Sequence, residues 1–434
     1  MKNPSVVVHG NGMAALVTAA ALAGEGRRVS LVCGSAATAA AVAGGDLPFA
    51  EPGLVEALAG AQRSGHLRIA GLFGEVPPAA AAGVHFLALQ PDERPQADAL
   101  VDALARVSGD LLLVNQVNFG VGVTDAFAAR LLARRGSQPR TAAVSLPDFL
   151  RRGTALANFR RPDRVIIGTG DDWAAASLRD LLRSCIGDDV PVLVMPARDA
   201  EFTKQAVNGM LATRLSYMND MANVADALGI DIEHVRLGVG SDDRIGSHHL
   251  HPGCGFGGTG FYQDLMSLKA TLDESGAASK LVDTAIAVNE EQKELLFRKL
   301  WRHYHGQLAG RTVAIWGVAF KPDTDRVDHA PSLSVVRALL AQGVKVQVHD
   351  PKALGQLLLQ VGDQPGLVAC DDPWQAVTGA DALLVLTEWQ VYRQPDFSRL
   401  MKALRVPVLL DGRNLYDPQA VRGHGFSYYG VGRG

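Results

Sequence analysis

The chain opens with an apolar strand, a glycine-rich turn and a helix of small residues, all within residues 5–24. The turn has the spacing Gly10-x-Gly12-x-x-Ala15, and its glycines let a ligand approach the backbone closely. A helix that begins after such a turn directs its N-terminus at a pyrophosphate. This order of elements predicts a dinucleotide-binding, Rossmann-like domain. The candidate cofactor contacts are Gly10, Gly12, Met13 and Ala14.

The second strand, residues 28–35, departs from the pattern of an NAD site. Such a strand ends in Asp or Glu, whose carboxylate accepts hydrogen bonds from the adenosine ribose. Cys33 occupies that position, and a thiol cannot accept two hydroxyls as a carboxylate does. The plain structural interpretation of Cys33 is a small buried residue at a strand end. We therefore predict weak or absent NAD binding, with Arg27 and Arg28 as alternative contacts if NAD does bind.

A second unit of the same kind begins at residue 311. Strand and helix patterns alternate through 311–351, and further apolar strands follow within 382–389 and 406–417. Such alternation is typical of a parallel, doubly wound sheet. Between the two units, apolar residues recur at helical spacing from Asp199 to Leu228. The predicted fold class is α/β, with two Rossmann-like doubly wound parallel-sheet domains joined by a long central helix and a helical middle domain.

Three domains follow from this organisation. Residues 1–196 form the predicted NAD-binding-type domain, residues 197–299 a central helical domain, and residues 300–434 the C-terminal Rossmann-like domain. A long helix with apolar residues on more than one side must bury them against something. We therefore expect the central domain to make the protein at least a dimer.

The composition excludes several classes of function. Lys and Arg number 42 against 45 Asp and Glu, so a net charge of −3 gives no basic surface for nucleic acid or an anionic membrane. The longest apolar stretches, such as 13–24, are too short to span a bilayer, and no signal-peptide pattern opens the chain. The scattered cysteines indicate a reducing compartment without disulfides, so we expect a cytoplasmic protein. They are Cys33, Cys185, Cys254 and Cys370.

The stretch 251–265, HPGCGFGGTGFYQDL, resembles the active-site loop of the UDP-glucose/GDP-mannose dehydrogenase family. That loop reads G-F-G-G-[ST]-C-[FL]-x-K-D, and its cysteine is the catalytic nucleophile. The nucleophile position is Gly260 in this chain, and Gln263 replaces the lysine. The matching positions are Gly257, Gly258, Thr259, Phe261 and Asp264.

The resemblance covers essentially the whole chain, including 46–58, 144–168, 235–258, 311–351 and the tail 427–434. It implies a UDP-sugar as ligand, NAD as the family cofactor and a role in polysaccharide or glycan biosynthesis. It assigns the C-terminal domain to UDP-sugar binding and the central domain to the substrate loop and the dimer. The implied substrate contacts are Phe149, Leu150, Lys204, Asn208, Arg244, His249, Leu250, His251, Gly253, Phe256, Gly257, Phe320, Lys321 and Arg413.

The resemblance also implies catalytic roles. Lys204 stabilises the oxyanion, and Asn208 and Asp264 hold a water. Asp148 stands where the family has a glutamate that holds the substrate loop and positions water, whereas a second glutamate is replaced by Arg152. Because Lys204 and Asn208 are four residues apart in a helix, they share one face. Read without the resemblance, they are an ordinary solvated lysine and a helix-surface asparagine.

The departures gather where the cofactor and the nucleophile are expected. Gln116 and Asn118 stand in a segment where the family has Thr and Pro, and Asp328 replaces an arginine that reaches the cofactor. The groups expected around the nucleotide sugar largely remain. A covalent oxidation needs a nucleophile, and glycine has none.

Three functions stay open at this point. The first is a UDP-sugar-binding homologue that has lost the four-electron oxidation, with an active paralogue as one conceivable partner. The second is an NAD(P)-dependent oxidoreductase that interconverts an alcohol and an aldehyde on a UDP-sugar without a covalent intermediate. The third is a full dehydrogenase that uses Cys254. We expect no metal, because the histidines at 248, 249 and 251 have no further ligands at metal-binding spacing.

Overall fold

A computed structural model describes residues 5–75, 83–136, 139–276 and 279–433, and the Thr259 side chain lies outside this description. The chain divides into two compact units, Met1–Val207 and Asn208–Gly434. Each unit is built on its own largely parallel sheet with helices packed against it. The predicted α/β class with two Rossmann-like sheets and a helical segment between them is confirmed. The boundaries of the three predicted domains stay a prediction.

The first unit holds an eight-stranded sheet in the order β3-β2-β1-β4-β5-β6-β7-β8. The first six strands follow the order of a dinucleotide-binding fold, in which ligands bind at the carboxyl ends near the point where the order reverses. All neighbouring strands run parallel except β6 and β7. The strands are β1 Val6–His9, β2 Val29–Val32, β3 Leu67–Ala70, β4 Gly83–Leu87, β5 Leu111–Asn115, β6 Thr141–Ser145, β7 Val165–Gly168 and β8 Val192–Met195.

Helices cover this sheet and exclude water from its apolar strands. The central strands β1, β4 and β5 are buried along their whole length, which explains why their sequences are almost continuously apolar. The helix after the glycine-rich turn is mostly Ala and Leu, so it packs closely against the sheet. The helices are α1 Met13–Gly24, α2 Ala36–Ala43, α3 Leu54–Arg63, α4 Arg94–Leu104, α5 Val123–Arg135, α6 Ala155–Arg160 and α7 Asp172–Arg183.

The second unit repeats the same topology. Its six-stranded sheet has the order β11-β10-β9-β12-β13-β14, and every neighbouring pair is parallel. Its strands are β9 Thr312–Trp316, β10 Lys345–His349, β11 Leu367–Ala369, β12 Ala382–Val385, β13 Val408–Asp411 and β14 Ser427–Tyr429. Its helices are α9 Ile232–Gly240, α10 Thr259–Glu274, α11 Lys280–Lys293, α12 Leu295–His303, α13 Pro331–Ala341, α14 Leu354–Val361, α15 Pro373–Val377, α16 Phe397–Ala403 and α17 Pro418–Gly423.

The long helix predicted for the middle of the chain is α8, Ala197–Leu228, which contains the boundary between the two units. It begins two residues before the predicted start and ends where Gly229 adopts a φ of +68°. A residue with a positive φ cannot continue a right-handed helix, and glycine takes that conformation at no steric cost. Among the described residues, none of the helices combines the length and the apolar character that a bilayer span requires.

A buried histidine pair lies within the sheet of the first unit. His9 Nε2 lies 3.1 Å from His85 Nδ1, and both rings contact Phe73. Burial, and then the charge of His85, hold the pKa of His9 well below its ordinary value of 6.5. His9 is therefore neutral in the folded protein and binds a proton only when that part of the sheet opens.

This pair predicts a loss of stability in mild acid. Because the folded pKa is depressed, the unfolded chain binds more protons, so the contribution of His9 is fully present above about pH 6.5 and is lost as the pH falls. We expect the contribution of His9 to the free energy of unfolding to fall by about 1 kcal/mol for each pH unit below pH 6.5. Urea denaturation at pH 7.5 and pH 5.5, with His9→Asn as the non-titrating control, measures the difference. Equal pH dependence in both proteins would contradict it.

Candidate functional site

The glycine-rich turn of the first unit has the geometry of a dinucleotide site, with one obstruction. Gly12 caps α1 without any side-chain hydrogen bond, so the first backbone N–H groups of the helix have no cap. A methyl group on Gly10 would lie 2.2 Å from the Ala88 carbonyl oxygen, so only glycine fits there. A methyl group on Gly12 would lie 2.2 Å from Gln90 Nε2. The Gln90 side chain therefore rests on the surface of the turn that a pyrophosphate would approach.

Cys33 follows β2 at the position where an NAD site has its carboxylate. Its side chain is buried, and its backbone N–H donates to the Ala70 carbonyl at 3.0 Å. Burial raises the pKa of its thiol to about 11, so it is neutral. The interpretation of Cys33 as a small buried residue at a strand end is confirmed. A neutral buried thiol does not supply the charged acceptor that the ribose of NAD binds, although the surrounding fold is that of a dinucleotide site.

The predicted catalytic lysine lies on α8 and contacts the segment after β6. Lys204 Nζ donates to the Asp148 carbonyl oxygen at 2.5 Å and lies 5.1 Å from the centre of the Phe149 ring. The Asp148 carboxylate accepts from the Leu150 N–H at 3.2 Å. The structure thus brings together four residues that the sequence assigned to this region, since Lys204, Asp148, Phe149 and Leu150 form one connected group.

Two acids outside the set of predicted site residues hold the first unit's loops. Glu51 accepts from the N–H groups of Gly153 and Ala155, both at 2.7 Å, and so fixes the start of α6. Glu201 accepts from the N–H groups of Gly122 and Thr124 at 2.6 and 2.9 Å. Sequence alone gave no sign of these contacts, because each joins residues more than seventy positions apart.

The glycine loop of the second unit is held on both sides by amides. The Gly253 N–H donates to Asn219, and its carbonyl accepts from Gln292 Nε2 at 2.8 Å. Phe256 exchanges two hydrogen bonds with Asn289, at 2.8 and 3.1 Å. Asn289 and Gln292 are three residues apart on α11, which places them on one helix face. None of these three amides is among the residues predicted from the sequence, although the polar spacing of Asn289 and Gln292 within a helix was an available signal.

Close packing explains the glycines of this loop. A methyl group on Gly257 would lie 2.4 Å from the His329 carbonyl oxygen, and one on Gly258 would lie 2.6 Å from the Phe320 ring. The Gly258 N–H also donates to the Asp328 carbonyl at 2.7 Å. The loop and the segment around Phe320 and Asp328 therefore form one packed surface, which joins several predicted substrate contacts.

Gly260 stands in the first turn of α10 and is exposed. A methyl group built on it would meet no atom within 4 Å, so the backbone leaves room for a side chain. On the same helix, Asp264 accepts from Asn208 Nδ2 at 2.6 Å, which brings together two of the predicted catalytic residues. Asp264 thus lies about one helical turn after Gly260 and is hydrogen-bonded, whereas Gly260 has no side-chain functional group.

Arg413 anchors the other side of the loop. Its Nε donates to the Leu386 carbonyl at 2.8 Å, its Nη1 reaches the Gly255 carbonyl at 3.4 Å, and Glu388 lies 3.3 Å away. These contacts are structural, so a substrate role for Arg413 requires its remaining N–H groups. Lys321 Nζ lies 5.9 Å from the Phe320 ring.

The predicted substrate contacts in the segment before the glycine loop differ from one another in burial. Leu250 is buried in a small apolar cluster, whereas His249 is exposed with a φ of +56°. Burial lowers the pKa of His251. The Arg244 side chain is 88% exposed and pairs with Asp242 at 2.6 Å. No cluster of three or more His, Cys, Asp or Glu suited to a metal is found in the described part of the chain.

None of the four cysteines presents a reactive thiolate. All four are free and buried, and burial raises the pKa of each thiol. Cys254 lies in the apolar core of the second unit with its Sγ 3.9 Å from the Leu386 carbonyl. Cys185 lies in the core of the first unit, 3.9 Å from the Ala21 carbonyl. Because the thiolate is the nucleophilic form, neither residue suits covalent catalysis in this structure.

The charge reversal at Asp328 is partly compensated. Its carboxylate accepts from Arg326 Nε at 2.7 Å. Burial acts to raise the pKa of Asp328, but the hydrogen bond and the charge of Arg326 outweigh it, so the pKa is lowered. The repulsion toward an anionic ligand that the sequence predicts is therefore weaker than for an isolated carboxylate.

Comparisons with known proteins agree with this geometry. Three models of the UDP-glucose/GDP-mannose dehydrogenase family match consecutive segments: the NAD binding domain at residues 4–186, the central domain at 198–291 and the UDP binding domain at 314–418. UDP-glucose 6-dehydrogenase of Pseudomonas aeruginosa is 40% identical, and the match covers 98% of this chain and 97% of that protein. The enzyme of that name from Rhizobium meliloti is 32% identical over 99% of both chains.

A solved structure shares the fold over almost the full length. The UDP-glucose dehydrogenase from the archaeon Pyrobaculum islandicum superposes with a TM-score of 0.87 at 32% identity, covering 99% of this chain and 98% of that one. The resemblance noted in the sequence is thereby confirmed at the level of the family. From its two sheets, its glycine loop and these full-length relatives, the chain belongs to the UDP-glucose/GDP-mannose dehydrogenase family.

Proposed function

We propose that this protein binds a UDP-sugar and has lost the cysteine-dependent, four-electron oxidation. The observation that carries the proposal is Gly260 at the nucleophile position. The oxidation needs a thiolate that traps an aldehyde, and glycine cannot form that bond. The open space around Gly260 means that packing does not force the loss, because a cysteine would fit there. The buried, neutral thiols elsewhere supply no substitute.

Support for the UDP-sugar comes from the second unit. The glycine loop is fully organised by Asn219, Asn289 and Gln292. An organised loop of backbone N–H and carbonyl groups costs little further ordering when a ligand binds. The match to a UDP binding domain over residues 314–418 lies in the same unit. We accordingly keep the sequence-derived contacts Phe256, Gly257, Phe320, Lys321 and Arg413 as proposed ligand residues.

On the cofactor side, we propose weak or absent NAD binding. Cys33 offers no charged acceptor to the ribose, and Gln90 lies over the glycine-rich turn. A hydrogen bond to a charged group contributes roughly 1.5–3 kcal/mol. Loss of this hydrogen bond corresponds to a dissociation constant for NAD that is about ten- to a hundredfold larger.

A second candidate function is a two-electron interconversion of alcohol and aldehyde on a UDP-sugar. Lys204, Asn208 and Asp264 are retained, and Asn208 already bonds Asp264 at 2.6 Å. Hydride transfer does not need the cysteine, so these groups could support it if a cofactor binds. Formation of NADH with UDP-glucose, followed at 340 nm, would favour this candidate over the first.

The test of the proposed ligand is calorimetric titration with UDP-glucose, other UDP-sugars, GDP-mannose, NAD and NADP. We expect UDP-glucose to bind at least tenfold more tightly than GDP-mannose, because 161–168 and 244–253 resemble the UDP-specific branch of the family. Lys321→Ala should weaken the binding of UDP-glucose at least tenfold. Lys402→Ala, at an exposed residue outside the site, should leave this affinity unchanged. Tighter binding of GDP-mannose would overturn the assignment.

We further propose that the protein is a homodimer formed through α8. Met210, Tyr217 and Val224 are 63%, 56% and 46% exposed and lie seven residues apart. Residues at that spacing share one helix face, so they form an apolar stripe open to solvent. A second copy of this chain, or an active paralogue with the same helix, would cover it. We place the protein in the cytoplasm, which the four free cysteines support.

The dimer gives a direct prediction. A double substitution, Met210→Glu and Tyr217→Glu, should convert the dimer to a monomer at micromolar concentration, because two charges would be buried without partners. Light scattering measures the mass, and Glu274→Lys on the exposed end of α10 is the control that should stay dimeric. A wild-type protein that is monomeric at that concentration would contradict the proposal.

A further inference from the structure

A cleft in the first unit borders the implied substrate residues Asp148, Phe149 and Leu150, but neither the resemblance nor the proposed function assigns a ligand to its other lining residues. It lies beside the segment 146–151, α6, the segment 161–165 and the residues Leu182 and Ile186. Its cavity volume is about 80 Å³. A single water needs roughly 10–15 Å³ of such space. The cleft therefore holds several waters or one small ring.

The lining combines apolar side chains with an excess of cationic groups. The apolar members include Phe149, Leu150, Phe159, Val165, Leu182 and Ile186. The charged members are three arginines and two aspartates: Arg151, Arg161, Arg164, Asp148 and Asp163. Ligand sites typically have this character, an apolar surface with a few polar groups that fix orientation.

Two of the arginines are not neutralised by the cleft itself. Arg151 pairs with Asp163 at 2.9 Å, and the Asp148 carboxylate accepts from the Leu150 N–H. Arg161 and Arg164 make no ion pair with any residue in the described ranges. The cleft is thus electrostatically complementary to an anion. Guanidinium groups bind carboxylates through two parallel N–H···O bonds, which favours a planar carboxylate over a compact ion.

The surroundings of Arg164 also indicate that the part of the ligand next to its carboxylate is aromatic. Its guanidinium carbon lies 4.2 Å from the centre of the Phe149 ring, and Phe159 lines the same cleft. Aromatic rings pair with one another in offset or edge-to-face arrangements and with stacked guanidinium groups. We propose that this cleft binds a small aromatic carboxylate, its ring among Phe149, Phe159 and Val165 and its carboxylate on Arg164 and Arg161.

The cleft is connected to the proposed sugar-nucleotide residues through Phe149. Lys204 contacts the same ring at 5.1 Å but does not line the cleft. A carboxylate that draws Arg164 away from the ring changes the position of Phe149 and of the Asp148 carbonyl that Lys204 holds. Occupation of the cleft therefore alters UDP-sugar affinity. This second step rests on the proposed function, whereas binding in the cleft does not.

The binding step is tested with benzoate on the full chain, by saturation-transfer NMR titration. We expect benzoate to bind and the neutral, equal-sized benzyl alcohol to bind at least tenfold more weakly. Arg164→Gln should weaken the binding of benzoate at least tenfold. Arg179→Gln, at an exposed residue of α7 outside the cleft, should not. Equal binding of benzyl alcohol, or unchanged benzoate binding in Arg164→Gln, overturns the site. Thermal unfolding of both variants at the wild-type temperature shows that folding is retained.

The coupling step is tested by repeating the UDP-glucose titration with saturating benzoate. We expect the apparent dissociation constant of UDP-glucose to change at least threefold in the wild type and not in Arg164→Gln. An unchanged constant in the wild type overturns the coupling. If UDP-glucose does not bind at all, the proposed function fails, while the benzoate titrations still decide whether the cleft is a site.

Discussion

Replacing Cys33 with aspartate and Gln90 with threonine should tighten NAD binding by about ten- to a hundredfold. The aspartate restores a charged acceptor for the ribose, and a hydrogen bond to a charged group contributes roughly 1.5–3 kcal/mol. The shorter threonine removes the amide that a methyl group on Gly12 would meet at 2.2 Å. Both changes act at the carboxyl ends of the first unit's strands, where a dinucleotide binds. Calorimetric titration of NAD into the wild type and the double variant measures the change.

The controls separate charge from shape. Cys33→Ser keeps the size and stays uncharged, so it should leave NAD affinity nearly unchanged. Gln90→Thr alone should show the smaller part of the gain. A micromolar dissociation constant for NAD in the wild type would show that this chain already binds NAD through other contacts, such as Arg27 or Arg28.

A variant at position 260 tests what a nucleophile alone would contribute. Gly260→Cys alone should fold, because no atom lies within 4 Å of the new carbon, but it should not restore full oxidation of UDP-glucose. The cofactor side would still lack its acceptor. Product analysis for UDP-glucuronic acid checks this, and its formation by Gly260→Cys alone would show that the cofactor site of the wild type is competent.

Replacing Asp350 with alanine should destabilise the second unit by about 3–5 kcal/mol. The buried carboxylate follows β10 and accepts five hydrogen bonds. The donors are the N–H groups of Val318, Ala319, Lys352 and Ala353, at 2.7 to 2.9 Å, and Trp389 Nε1 at 3.0 Å. Without Asp350 these donors, most of them buried, lose their acceptor.

Urea denaturation, followed by the fluorescence of the tryptophans, measures this loss. Asp350→Asn keeps one carbonyl oxygen and should lose roughly half as much. Asp363→Ala, an exposed aspartate in the same unit, is the matched control and should stay within about 0.5 kcal/mol of the wild type. A change of less than 1 kcal/mol for Asp350→Ala would mean that water replaces the carboxylate.

Local sequence rules predicted several elements of this fold. The strand, glycine turn and helix at 6–24 form as predicted, because an apolar run, a glycine with φ of +133° and a small-residue helix each follow from their own residues. The long helix ends at Gly229 for the same local reason. The parallel order of the strands was also predictable, since strands that alternate with helices can pair in few other ways.

Contacts between distant residues needed the tertiary structure. The resemblance paired Asn208 with Asp264 around a water, but the direct 2.6 Å hydrogen bond between them depends on how α8 and α10 pack. The amides that hold the glycine loop, Asn219, Asn289 and Gln292, went unnoticed because an isolated polar residue in a helix reads as solvated surface.

By itself, then, the sequence determined the opening strand, turn and helix, the long central helix, and the glycine at position 260 on which the proposed loss of the nucleophile rests. These depend on the identity of single residues and their immediate neighbours. Only the tertiary structure decided that Gln90 lies beside the glycine turn and that the cleft beside Phe149 collects uncompensated arginines. These facts depend on burial and on distances across the fold, which a one-dimensional pattern does not contain.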